Sequence, residues 1–268
     1  MDLLQSNAGM LYYMKRSHFQ KVARCLALFI LIVIARPFSA QTRKKESAKP
    51  AETLPPGWTL KFDEEFNSPS INYDKWSPHA PGKVAFEGQQ TWLPGAITLS
   101  EGQAHLTASK SASGYTSGMM TTLGSFAQQF GRFEIRFRMP AGAGLEPLFR
   151  LLPLGAADQP SIDVMRAFGD NPSRPLFANR WVETNLDRDY SGSWDGVDLS
   201  NGFHTVAAEW DEEKIVWSVD GVERFASWDG IPQQPMYLTV CLEVRDPAAQ
   251  THFPATLDID YIRVFARP

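Results

Sequence analysis

The segment PSIDVMRAFGD, residues 160–170, gathers a hydroxyl, a carboxyl and a guanidinium at Ser161, Asp163 and Arg166. In an extended chain, residues 161 and 163 share a face by simple alternation. Residue 166 has the opposite parity and joins them only if a β-bulge near Val164–Met165 adds one residue. A serine hydroxyl needs an adjacent base to become a nucleophile, and none is evident for Ser161. Arg166 stays protonated at any working pH, so it cannot donate and recover a proton. Asp163 is left as a lone acid, with Arg166 placed to hold it ionised.

Other chemistries are excluded on the same kind of ground. The histidines at 18, 79, 105, 204 and 252 are scattered without metal-ligand spacing. No glycine-rich phosphate loop or serine-nucleophile elbow is present. Trp92 in GQQTWLP and Trp194 in SGSWDG lie in turn-like segments, where an indole can stack on a sugar ring. Trp58, Trp76, Trp210 and Trp217 are expected to fill the core.

The elements that must position these groups read as strands. HTVAAEW and KIVWSVDG predict a hairpin, with Ile215, Trp217 and Val219 on one face. GRFEIRFRMP alternates Phe133, Ile135 and Phe137 with charged residues, and LDIDYIRVFARP alternates again. No segment longer than a turn or two has a helical period. Many short strands predict two antiparallel sheets packed as a sandwich.

Across 268 residues, 43% are hydrophobic and 21% charged, which fits a globular chain. Residues 1–40 hold five Lys/Arg and one acid, leaving 21 basic against 29 acidic residues, or −8, in the remainder. An acidic body without a basic stripe argues against nucleic acid as a partner. The segment from Met14, MKRSHFQKVARCLALFILIVIARPFSAQ, has the basic start, apolar run and small-residue end of an export signal. Residues 1–40 are therefore read as that signal, with Met14 the better start and cleavage after Ala40. The product is periplasmic or secreted, and an uncleaved segment would act as an anchor; the apolar run is short for a bilayer span. Residues 41–56 read as a disordered spacer, and residues 57–268 as one domain. Only Cys241 then remains, so no internal disulfide can form and stability must come from the core.

Seven segments together carry a family resemblance: GWTLKFDEEFN, INYDKW, YTSGMMTT, FGRFEIRFRMPAGAG, SIDVMRAFG, FHTVAAEWDEEKIVWSVDGV and FPATLDIDYIRVF. Their order resembles glycoside hydrolase family 16, which includes laminarinases, lichenases, agarases and carrageenases. The resemblance implies a concanavalin A-like jelly roll whose concave sheet forms a glycan cleft. It also implies a catalytic strand of the form Glu-x-Asp-x-x-Glu, in the order nucleophile, assistant and acid/base. Ser161, Asp163 and Arg166 occupy those positions, so the nucleophile and acid/base are replaced and only the assistant is retained. A retaining glycosidase needs two carboxyls about 5–5.5 Å apart, so the family's double displacement is expected to be absent.

The family's Trp-Pro-Ala-Phe-Trp segment is matched here by Glu146-Pro147-Leu148-Phe149-Arg150, and its late Asn-x-Ala-x-Gly-Gly segment loosely by CLEVRDP. Glu146, Arg150, Glu243 and Arg245 therefore join Asp163 and Arg166 as a charged lattice expected on the concave face. Such a face would bind a β-glucan or a galactan, with the arginines suited to acidic or sulfated sugars. Two other readings stand beside it. One is an active glycosidase with relocated acids, Glu146 or Glu243 working with Asp163. The other is an envelope interaction protein whose charges only neutralise one another. No cofactor is required; the resemblance allows a structural calcium, with Asp260 matching the family's aspartate. A monomer is expected.

Overall fold

A computed structural model describes residues 56–78, 89–155, 158–246 and 251–267. The export signal, its start at Met14, nearly all of the 41–56 spacer and His79 lie outside the described residues. Among the described residues, sixteen strands, numbered in chain order, form two sheets, and the helical content is one 3-10 turn, Pro94–Ala96.

The larger sheet runs β14 (Val222–Ser227), β13 (Ile215–Val219), β12 (His204–Trp210), β7 (Gly131–Arg138), β16 (Ala255–Ala266), β4 (Gln103–Ser111), β5 (Gly114–Ser117) and β2 (Gln90–Trp92). In addition, β1 (Thr59–Glu64) pairs with β16, and β3 (Ile97–Ser100) pairs with β4. The smaller sheet runs β11 (Leu186–Ser193), β10 (Asn171–Glu183), β9 (Ser161–Phe168), β8 (Leu145–Pro153), β15 (Met236–Val244) and β6 (Met119–Thr121). The pairings are antiparallel with one exception: β2 runs parallel to β5, which departs from the all-antiparallel expectation. The sandwich is otherwise the architecture predicted from the strand pattern.

The core lies between the sheets. Phe133, Ile135 and Phe137 of β7 are fully buried there, and β12 and β13 add Trp210, Ile215, Trp217 and Val219. Each such side chain contributes about 1.5–3 kcal/mol by leaving water. Trp76 belongs to this core, whereas Trp58 does not: its ring lies under the guanidinium of Arg267.

One irregularity sets the geometry of the smaller sheet. Against β8, Ile162 pairs with Leu151 and Asp163 with Arg150, but the next pair is Met165 with Phe149, so Val164 is the inserted residue. Val164 and Met165 both pack into the core, and Arg166 is thereby returned to the outer face that Asp163 occupies. The bulge predicted from parity is present. It is anchored from the opposite sheet by Trp217, whose Nε1–H donates to the main-chain carbonyl of Asp163 at 2.9 Å. Trp217→Phe keeps an aromatic ring in the core, though a smaller one, and leaves that buried carbonyl unpaired. Urea unfolding should show a loss of about 1–3 kcal/mol; an unchanged midpoint would mean that the bond does not anchor the bulge.

Candidate functional site

The outer face of the smaller sheet collects the predicted charges because the core takes alternate residues. Leu145, Phe149 and Leu151 of β8 point inward, which leaves Glu146, Leu148, Arg150 and Leu152 outward. On β15, Leu238, Val240, Leu242 and Val244 are core, so Tyr237, Thr239, Cys241 and Glu243 face outward. Register then fixes the neighbours: Glu146 lies opposite Glu243, and Leu148 opposite both Cys241 and Arg166.

Asp163 is fully buried, between two guanidiniums. Arg150 Nε donates to Oδ1 at 2.5 Å, and Nη1 of Arg180 donates to Oδ2 at 2.6 Å. Arg166 does not hold Asp163, contrary to the expectation from sequence. It turns to Glu146 instead, with Nε 2.6 Å from Oε1. Arg150 stands across the ladder from Asp163 and reaches it first, while the bulge carries Arg166 to the Glu146 end of β8. Arg245 Nε lies 2.8 Å from Glu146 Oε2 and 3.4 Å from Glu243 Oε2. The sum of those two distances, about 6 Å, bounds the separation of these two carboxyl oxygens.

Burial and charge move these groups in different directions. Burial alone would raise the Asp163 carboxyl, but Arg150 and Arg180 override it and hold the group below its ordinary value. Burial pushes Glu146 up, and the charge of Arg166 offsets this only in part. Arg166 Nε approaches at ion-pair distance without the alignment of a full hydrogen bond, which fits that partial compensation. Burial, reinforced by the neighbouring Glu146, pushes Glu243 up to about 7. The Cys241 thiol is raised well above its usual value by burial and by Glu243, so it is not a thiolate nucleophile.

The site thus brings together Ser161, Asp163, Arg166, Glu146, Arg150, Glu243 and Arg245 on one face. Ser161 is buried at the start of β9, opposite Arg180. Trp92 packs on the outward apolar cluster of Met119, Leu148 and Cys241, beside the charges. Trp194 does not join them: it packs against the core, with Arg224 stacked 4.1 Å above its ring. Arg180 was missed. Its signal was the alternation of Ala178 and Arg180 with core-side Phe177 and Asn179, but only the register shows that it meets Asp163. Asp260 lies in β16 of the other sheet, where its Oδ2 is 2.5 Å from Arg136 Nη1. A guanidinium occupies the side a cation would need, and no group of three or more His, Cys, Asp or Glu among the described residues is arranged to hold a metal.

Two stability predictions follow from the charges. Asp163→Asn leaves two guanidiniums without their buried counter-ion, and urea unfolding at pH 7 should show a loss of about 3–5 kcal/mol; a loss under about 1 kcal/mol would contradict this pairing. Glu243 has the opposite sign. Its folded pKa lies above the ordinary value of 4.5, so the folded state binds the extra proton and stability falls as pH rises from about 4.5 to about 7. Glu243→Gln removes that slope. Relative to the parent it should gain about 2–3 kcal/mol between pH 4.5 and pH 8, and parallel pH profiles would refute the assignment.

Comparison with known proteins agrees with the geometry. The family model described as glycosyl hydrolases family 16 matches residues 86–263. An endo-1,3-1,4-beta-glycanase of Rhizobium meliloti (strain 1021), ExsH, is 30% identical over 242 residues, covering 76% of this chain and 51% of the relative. The chain therefore spans about half the length of that relative. A beta-glucanase of Rhodothermus marinus is 33% identical over 184 residues, or 56% of this chain and 62% of its own. Among solved structures, the laminarinase of Rhodothermus marinus superposes with a TM-score of 0.68 at 26% identity, covering 79% of this chain and 98% of that one. The catalytic domain of a Thermotoga petrophila laminarinase gives 0.67 at 25% identity, covering 78% and 98%. With the sandwich shared and the family model matching residues 86–263, more than half of the sequence, this chain belongs to glycosyl hydrolase family 16.

Proposed function

We propose that this chain is an exported, catalytically impaired family 16 member that binds a polysaccharide on the outer face of its smaller sheet. One observation carries the reading. The position of the acid/base holds Arg166, tied to Glu146, and the position of the nucleophile holds Ser161, which is buried and has no charge to serve as a nucleophile of the family's kind. Asp163 is retained, but two guanidiniums hold it ionised, which suits a structural counter-ion and not a proton carrier. The relatives named above are glucanases, so a β-glucan is one natural ligand class, and galactans are handled elsewhere in the family. Arg150 and Arg180 each give Asp163 a single hydrogen bond. Their remaining N–H donors stand outside that pair and suit the carboxylates or sulfates of an acidic glycan.

A second reading has a specific observation behind it. Glu146 and Glu243 are opposed carboxyls within about 6 Å across Arg245, close to the spacing of a retaining acid pair. Both are more than nine-tenths buried, and Arg245 lies between them. Burial and the intervening guanidinium weigh against this second reading.

The test is hydrolysis of laminarin, mixed-linkage β-glucan, agarose and carrageenan at high protein concentration. The parent is run beside Ser161→Glu/Arg166→Glu and Glu243→Gln, with affinity electrophoresis in the same polymers. The expected parent is retarded by at least one polymer and cleaves none. Cleavage by the parent that Glu243→Gln abolishes would establish the relocated acids, and absence of both binding and cleavage would sink both readings.

A further inference from the structure

The outer face of the larger sheet holds a second constellation, far from the motif in sequence. The hairpin of β3 and β4 closes on Glu101-Gly102, whose φ values are 53° and 73°. Ser100 ends β3 at this turn and is exposed. Ala104 and Leu106 are buried in the core, so His105 between them faces outward. His105 pairs with Thr98 on one side and with Asp258 of β16 on the other. Ser100 is therefore diagonal to the imidazole, and Asp258 directly across from it. Ser100 Oγ lies 2.8 Å from His105 Nε2, and His105 Nδ1 lies 2.7 Å from Asp258 Oδ1.

The order hydroxyl, Nε2, Nδ1, carboxylate is that of a serine nucleophile with its base and orienting acid. With Nδ1–H donated to Asp258, the ring is held in the tautomer whose Nε2 accepts the Ser100 proton. Asp258 is fixed in turn by Arg138, whose Nη2 and Nε donate to Oδ2 at 2.6 and 3.2 Å.

The geometry points to a second, hydrolytic site: Ser100 and His105, positioned by Asp258, cleave short-chain esters such as acetyl esters. Ser100 Oγ attacks the ester carbonyl carbon while Nε2 takes its proton. The carbonyl–alkoxy bond breaks, and the same proton goes to the leaving alcohol. Water then attacks the acyl-serine with His105 as base, releasing the carboxylic acid and restoring the hydroxyl. The exposed turn suits a small acyl group carried on a larger molecule. This site is independent of the smaller sheet and of the glycan reading.

The experiment uses the whole exported chain with p-nitrophenyl acetate, and a fluorophosphonate probe located by peptide mass mapping. The probe should sit on Ser100. Ser100→Ala, a surface change with the same melting temperature, should lose the label and reduce ester hydrolysis by about 10²-fold. Asp258→Asn should lower kcat with KM unchanged, since it releases the ring tautomer and touches no substrate. Label on another residue, or hydrolysis by Ser100→Ala at the parent rate, overturns the proposal.

Discussion

The smaller sheet depends on one buried charge. Asp163 has no access to solvent, and an isolated carboxylate there would cost far more than a domain's net stability. It is tolerated because Arg150 and Arg180 flank it from the two neighbouring strands. That requirement explains why its strand cannot change alone. Once the acid of the motif is kept and buried, the neighbouring positions must supply cations, and each cation that is half-buried needs an anion in return.

The rest of the face follows from that exchange. Arg166, returned to the face by the bulge, is balanced by Glu146, and Arg245 is shared between Glu146 and Glu243. The bulge itself is a backbone feature held by core residues on both sides and by the indole of Trp217. It presents an arginine here as readily as it would present an acid. Scaffold and surface chemistry are therefore separable in this fold, and the family 16 frame carries an ion-pair lattice on the outer face of its smaller sheet.

Much of this was legible from residue types and alternation. The sandwich followed from short alternating segments, and the bulge from the parity of 166 against 161 and 163. The lattice was placed on one face by the family segments that Glu146, Arg150, Glu243 and Arg245 match. Partner choice was not legible, because it depends on strand order and register. Nothing in the sequence says that Arg180 sits opposite Ser161, or that Arg136 takes the Asp260 carboxylate. Trp194 looked like a free aromatic because its turn is polar, yet an arginine from the opposite sheet covers it. The Ser100–His105–Asp258 alignment was invisible for the same reason: 153 residues separate the imidazole from its carboxylate.

The most direct measurement is a carbon-13 NMR titration of the side-chain carboxyls, with Asp163 and Glu243 assigned by their Asn and Gln variants. The account predicts that Asp163 stays ionised below its ordinary value while Glu243 takes up its proton near neutrality. An Asp163 that titrates at or above its ordinary value would contradict the paired-guanidinium lattice, and would return that residue to the role of an acid with a proton to give.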